Sequence, residues 1–325
     1  MAPVVDTVIF VDIDGVLNVG IRDHENAPLL LNDSNVKTAL LYKDYPFKGY
    51  SAEQECITKV VSVVERCLGD DKLAGTYRDL ACGSKQHYSP VLVDRLAEII
   101  RASGSASVVL SSNWRRAKYA SRVRSLESEV SKRLGAEFKF DGRTEDCEEI
   151  SAADRLRCIG NYVRRLCAER EGSGARGPLR ALVLDDFFVS PLDGWGCGGA
   201  TVYSTAEAEG YVRRCAPEGA ADVKLVHCYD EWRTDAGLRV QVGTGLTQED
   251  VKTAKAFLAA PQEENPCVEF GKQACALAEL AGAQVAIRKD AGDYPGTVGS
   301  EMVATLGVCW TGVVSVAFPW LCFHL

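Results

Sequence analysis

The apolar run Val8-Ile9-Phe10-Val11 ends in Asp12-Ile13-Asp14-Gly15, followed by Val16-Leu17-Asn18. Such a run reads as a buried strand, and the glycine lets the backbone turn tightly straight after it. The two carboxylates therefore belong at the carboxyl end of a strand. In an open α/β sheet, that is the edge where ligands bind. Two carboxylates placed there can share a hard cation, or divide into a nucleophile and an acid/base.

Two later strands end in the same manner. Ser107-Val108-Val109-Leu110 runs into Ser111-Ser112-Asn113, and Ala181-Leu182-Val183-Leu184 runs into Asp185-Asp186. Between the strands the apolar positions change to helical spacing. Leu92, Leu96, Ile99 and Ile100 form one stripe, opened by Ser89-Pro90 and closed by Gly104. Val123, Leu126, Val130 and Leu134 form another within a helix expected over 116–134. Leu156, Ile159, Val163 and Leu166 follow Ser151-x-x-Asp154, a capping box. Further strands are expected at 200–203 and 223–228, and Thr247-x-x-Asp250 caps a last helix through Leu258. Alternating strands and helices predict an α/β, doubly wound, mostly parallel sheet. Residues 20–86 read as long, polar and irregular, with one helix near 53–68. They are expected to form a small helical insertion over the site rather than a domain.

Composition narrows the function. The 325 residues are 46% hydrophobic and 25% charged, with a net charge of -8. That balance argues against a general nucleic-acid or anionic-membrane surface, and leaves room for a local phosphate pocket. Thirteen cysteines without a C-x-x-C pair point to reduced thiols and a cytoplasmic setting rather than a disulfide framework or zinc site. The first strand begins close to Met1, with no basic n-region and no cleavage site, so a secretory signal is not expected. The four histidines lack metal-ligand spacing.

Adjacent strand ends converge in a doubly wound sheet, so Asp12, Asp14, Ser111-Ser112-Asn113 and Asp185-Asp186 can share one site. Phosphoryl transfer needs that set: a nucleophile, a cation to offset charge, and donors for the phosphoryl oxygens. With these motifs in this order, the chain resembles the haloacid dehalogenase (HAD) superfamily over about residues 4–258. Ser111-Ser112-Asn113-Trp114-Arg115 is similar to the Ser-Ser-x-Trp-Arg signature of a subgroup that includes the HAD domains of Swiss-army-knife RNA-repair proteins. Gly245-Leu246-Thr247 fits the same subgroup.

The resemblance implies a Rossmann-like HAD sheet and a Mg²⁺-dependent phosphatase. Asp12 would be the nucleophile, and Asp14 would protonate the leaving oxygen and later activate water. Ser112 would hydrogen-bond the phosphoryl oxygens beside the Asn113 backbone N–H. Gly15 would lie against the substrate. Asp12, Asp185 and Asp186, with the Asp14 backbone carbonyl, would hold the Mg²⁺. The basic residue that steadies the phosphoryl group is Arg155 by position, with Arg157 and Lys132 as rivals. Trp114 is expected to be a packing residue, and 194–199 a surface connection.

The catalytic domain is expected at 1–258, with its insertion at about 43–86, and a C-terminal extension at 259–325. One helix is expected in the extension, over 268–281. Residues 302–325 contain no Asp, Glu, Lys or Arg, a length that can span a bilayer. Gly307, Gly312, Pro319 and the absence of a basic flank argue against a span, so the tail is read either as a membrane tether or as packing on the core. The expected partner is a phosphorylated substrate: a small molecule, a phosphoprotein or a nucleic-acid end. A phosphotransferase or mutase shares every catalytic residue. A non-catalytic phosphate- or Mg²⁺-binding module, tethered by the tail, is the reading from another class.

Overall fold

The computed structural model describes residues 5–22, 29–44, 52–69, 77–83, 85–146, 152–175, 177–187 and 204–261. In chain order its elements are β1 (Thr7–Val11), β2 (Gly20–Arg22), β3 (Leu29–Leu30), α1 (Asp33–Asp44), α2 (Ala52–Gly69), α3 (Tyr77–Leu80) and α4 (Pro90–Ser103). Then come β4 (Ser107–Leu110), α5 (Ala120–Leu134), β5 (Gly142–Arg143), α6 (Ala152–Ser173), β6 (Leu179–Asp185) and α7 (Thr205–Arg214). The last are β7 (Ala221–His227), β8 (Tyr229–Arg233), β9 (Arg239–Gly243) and α8 (Gln248–Ala259).

Five strands form a parallel sheet in the order β5-β4-β1-β6-β7. Because successive side chains of a strand point to opposite faces, β1 feeds two cores. Ile9 and Val11 join Leu92, Leu96 and Ile99 of α4, Val123, Leu126 and Val130 of α5, and Val251 and Ala254 of α8. Val8 and Phe10 join Leu156, Ile159 and Val163 of α6 and Ala208 and Val212 of α7. Both faces are covered, as a parallel sheet requires. This is the α/β, mostly parallel, doubly wound sheet expected from the alternating pattern, and it agrees with the Rossmann-like sheet that the resemblance implies.

The register sets up the site. Val11 pairs with Leu110 on one side and Leu184 on the other. The Ser111 N–H reaches the Val11 carbonyl at 2.8 Å, and the Asp12 N–H reaches the Leu184 carbonyl at 3.0 Å. Asp12, Ser111 and Asp185 therefore emerge side by side at the carboxyl edge of the three central strands.

The described residues between 20 and 86 hold more regular structure than the sequence reading allowed. Besides α2, which matches the expected helix, they contain β2, β3, α1 and α3. The two strands join β8 and β9 in a four-stranded antiparallel sheet, in the order β3-β2-β9-β8, that packs against α2. Strands of three and two residues are too short to show alternation, and the partner that ties β2 into the sheet, β9, lies more than 200 residues on; only the folded chain pairs them. In α1, Val36 and Ala39 are buried while Leu40 and Leu41 are exposed, so its apolar residues mark no single face.

Smaller corrections have local causes. The helix expected from Arg116 begins at Ala120, because Arg116 is extended between two short 3₁₀ turns, Asn113–Arg115 and Ala117–Tyr119. Ser89 stands at the start of α4, but its hydroxyl donates to the Asp79 carbonyl instead of capping the helix. Asp185 is the last residue of β6 rather than part of the following turn. The Thr247 and Asp250 capping box is formed, with the Asp250 N–H on Thr247 Oγ1 at 3.1 Å and the Thr247 N–H on Asp250 Oδ2 at 2.7 Å.

One compact unit runs Met1–Gln262 and a second Glu263–Leu325. The second lies outside the described residues, and with it the helix expected at 268–281 and the apolar tail 302–325. Ser151, the segment 194–199 and the strand expected at 200–203 also lie outside them. Among the described residues, no helix is long and apolar enough to cross a membrane.

Candidate active site

Asp12 leaves β1 almost fully buried, and its Oδ1 accepts the Ile13 N–H at 2.7 Å. Its Oδ2 is held by Nη1 of Arg155, which comes from the first turns of α6. The same Nη1 donates to Asp185 Oδ1 at 2.8 Å and lies 3.9 Å from Asp186 Oδ1. The Arg155 guanidinium also lies over the Phe187 ring, 5.8 Å from its centroid. Of the three basic candidates, Arg155 is the one at the carboxylates. Arg157 pairs with Asp154, and Lys132 pairs with Glu129 on an exposed surface.

Asp12, Asp185 and Asp186 each offer a carboxylate oxygen, and these oxygens lie within 4.8 Å of one another. Burial pushes the Asp12 carboxyl up to about 6, against the pull of Arg155; Asp186 and Asp14 add to the rise. Burial likewise drives Asp185 well above the usual carboxylate range, again opposed by Arg155. Asp185 Oδ2 is buried without a hydrogen-bond partner. A buried, all-oxygen set with an unsatisfied acceptor fits a hard divalent cation such as Mg²⁺.

Asp14 stands apart from that group. Its Oδ1 accepts from Asn18 Nδ2 at 3.1 Å and its Oδ2 from Trp114 Nε1 at 3.0 Å. Asn18 is itself fixed: its Nδ2 donates to the His87 carbonyl at 2.8 Å, and its Oδ1 accepts the Gly15 N–H at 2.8 Å. Burial raises the Asp14 carboxyl, and the Asn18 and Trp114 donors oppose that rise. Contact between Asp14 and a cation at the other three carboxylates would run through its carbonyl, as the resemblance implies.

Gly15 is the hinge between the two groups. Its φ is +82°, a region that favours glycine, and a Cβ built there would lie 2.2 Å from Asp186 Oδ2. Gly243, at the end of β9, closes the other side: a Cβ on it would lie 2.4 Å from Gly15 Cα and 2.8 Å from Asp186 Oδ2. The Gly245 N–H donates to the Gly15 carbonyl at 2.9 Å. The antiparallel sheet thus supports the turn that carries Asp14.

Ser112 follows β4. Its hydroxyl hydrogen-bonds the Asp12 carboxylate and accepts the Trp114 N–H at 3.4 Å. Its carbonyl accepts from Arg115 Nη1 at 2.8 Å, and the Arg115 carbonyl accepts from Arg143 Nη1 at 3.0 Å, which braces the turn. Asn113 opens the 3₁₀ turn, and its Oδ1 is buried without a partner. The fold therefore gathers Asp12, Ser112, Arg155, Asp185 and Asp186 at one point, with Asp14 and Gly15 beside them.

Three contributors escaped the sequence reading: Trp114 as a donor to Asp14, Asn18 as the second donor, and Gly243 as the floor under Asp186. Trp114 is buried as expected of a packing residue, yet its indole N–H is spent on a carboxylate. The signal for Asn18 lay in its place four residues after Asp14. Nothing local marks Gly243.

No curated protein and no solved structure matched the chain. Residues 8–196, more than half of it, match the family described as the HAD domain in Swiss Army Knife RNA repair proteins. That family carries phosphatase- or phosphotransferase-type chemistry, and the buried aspartate cluster fits a Mg²⁺ site. The match spans the strands and turns that supply Asp12, Asp14, Ser112, Arg155, Asp185 and Asp186, and the chain belongs to this HAD family.

Proposed function

We propose that the chain is a Mg²⁺-dependent phosphatase that hydrolyses a phosphomonoester through an aspartyl-phosphate on Asp12. The observation that carries this reading is the division of labour among the carboxylates. Asp12 sits with Arg155, Ser112 and the other two acidic ligands, while Asp14 is held separately by two neutral donors.

In the first step an Asp12 oxygen attacks phosphorus, the ester P–O bond breaks, and Asp14 gives its proton to the leaving oxygen. Burial favours the protonated Asp14 that this step needs. In the second step Asp14 takes a proton from water, the water oxygen attacks phosphorus, and the bond to Asp12 breaks, releasing phosphate and restoring the carboxylate. Ser112 and Arg155 lie close enough to Asp12 to donate to the phosphoryl oxygens. Asp12, Asp185 and Asp186 would hold the Mg²⁺, which offsets the charge of the carboxylates and the phosphoryl group.

The substrate is one of three classes: a small molecule, a phosphoprotein or a nucleic-acid end. The matched family is named for RNA repair proteins, which brings the last forward. A net charge of -8 keeps a broad nucleic-acid surface out of the proposal.

The test is phosphate release from p-nitrophenyl phosphate and a panel of phosphomonoesters, with Mg²⁺ or EDTA. Turnover that needs Mg²⁺ and vanishes in Asp12→Asn supports the reading. Transfer to an added acceptor without phosphate release would make the chain a phosphotransferase. Phosphate binding without either reaction would make it a binding module.

A further inference from the structure

The charges around Asp14 are arranged differently from those around Asp12. Trp114 donates its indole N–H to Asp14 Oδ2, and the Arg122 guanidinium lies over the Trp114 ring, 5.8 Å from the centroid. Arg122 also lies 5.2 Å from the centroid of Tyr119, which stacks on Trp114 at 6.3 Å and 24°. Lys118 Nζ sits 4.9 Å from the same Tyr119 ring, and His87 meets Trp114 edge-on at 6.0 Å.

Several basic residues of this segment have acidic partners: Arg116 pairs with Asp146, Lys132 with Glu129, and Arg133 with Asp94 and Glu129. Among the described residues, Arg122 and Lys118 have none. In an acidic chain this is a local positive spot. Its field reaches His87, whose imidazole is pushed below its ordinary value by burial first and by Arg122 second. Arg122 is half-buried on two aromatic faces, so its guanidinium is already positioned and little freedom is left to lose on binding. Its planar fork suits the oxygens of a phosphate group.

We propose that Arg122, seated over Trp114 and Tyr119 with Lys118 beside it, is a second-anion subsite on the leaving-group side of the catalytic centre, so that the substrate is a phosphomonoester carrying another phosphate group near the scissile ester. The assignment rests on the phosphatase reading, because Asp14 as proton donor is what marks the leaving-group side.

The test compares kcat/KM for simple alkyl phosphates with kcat/KM for the α,ω-bisphosphates of ethanediol through hexanediol. Wild type, Arg122→Gln, Arg122→Lys and Lys118→Gln are measured with the full chain and Mg²⁺. Wild type should favour the best-fitting bisphosphate by about tenfold or more, the scale of one charge-assisted contact. Arg122→Gln should bring that ratio close to one, Arg122→Lys should retain part of it, and Lys118→Gln should lower it less. A wild-type ratio near one, or a ratio unchanged in Arg122→Gln, overturns the subsite while leaving hydrolysis intact. Wild-type protein that hydrolyses none of these esters sinks the phosphatase reading and the subsite together.

Discussion

Trp114 Nε1 donates to Asp14 Oδ2 across 3.0 Å, while the backbone N–H of the same residue reaches Ser112 Oγ at 3.4 Å. One residue thus ties the turn after β4 to the acid/base carboxylate that follows β1. With Asn18 on the other oxygen, the Asp14 carboxylate has both of its oxygens fixed.

Loss of that donor should be felt where the leaving oxygen needs a proton. Trp114→Phe keeps most of the ring and removes the N–H. We expect its kcat/KM to fall about tenfold to hundredfold for alkyl phosphates, a fraction of what general acid catalysis supplies. For p-nitrophenyl phosphate, whose leaving group is stable as an anion, the fall should be much smaller. Steady-state kinetics on the two esters checks this. Equal losses would reduce Trp114 to a packing residue.

Gly15 should tolerate no side chain. Gly15→Ala meets a positive φ and an Asp186 oxygen 2.2 Å from the new methyl carbon. Destabilisation of about 1–3 kcal/mol is expected from the backbone alone, read from urea unfolding, together with weaker Mg²⁺ binding by calorimetry as Asp186 is displaced.

The metal-free chain should be more stable in mild acid than at neutrality. The Asp12 carboxyl rises from 3.8 to about 6 on folding, and Asp185 also rises. A raised carboxyl means that the folded state holds the proton more tightly. The stabilisation is present while the group is protonated and is lost as pH climbs from about 4 through 6. Thermal melts in EDTA should therefore give a higher Tm at pH 5 than at pH 7, and Mg²⁺ at pH 7 should reverse the deficit. A Tm that rises steadily from pH 5 to pH 7 in EDTA would contradict the burial of uncompensated charge at this cluster.

Asp185→Asn separates structure from metal binding. It removes a fully buried charge whose Oδ2 lacks a partner. In EDTA at pH 7 the variant should match or exceed wild type in stability, by about 1–2 kcal/mol. Saturating Mg²⁺ at a hundredfold excess over Kd stabilises a binding protein by about 2.7 kcal/mol. Wild type should show such a gain and Asp185→Asn should not, whatever its activity.

The parallel sheet and the acidic strand ends were legible because their signals are local. Val8 to Val11, Ser107 to Leu110 and Ala181 to Leu184 are continuous apolar runs, and each is followed at once by the polar residues that reach the site. The stripes of α4, α5 and α6 repeat at helical spacing, and Leu92, Leu96 and Ile99, Val123, Leu126 and Val130, and Leu156, Ile159 and Val163 on them are buried. The antiparallel sheet was not legible. Gly20–Arg22 and Leu29–Leu30 are too short to carry a pattern; the first becomes a strand by pairing with β9, and the second by pairing with the first.

By itself, the sequence determined which residues stand at strand ends, in what order, and with what chemistry, because periodicity and turn residues act over a few positions along the chain. Only the tertiary structure decided which of them meet. Arg155 rather than Arg157 or Lys132 reaches Asp12, since α6 packs on β1 and β6 so as to carry Arg155 to the sheet edge, while Arg157 pairs with Asp154 and Lys132, on α5, pairs with Glu129. Trp114 turned its indole N–H to Asp14, 100 residues away, and Gly243 came beneath Asp186, because the crossover of the parallel sheet and the pairing of β2 with β9 closed those distances. Contacts of that range depend on how the layers pack, and no window of sequence contains them.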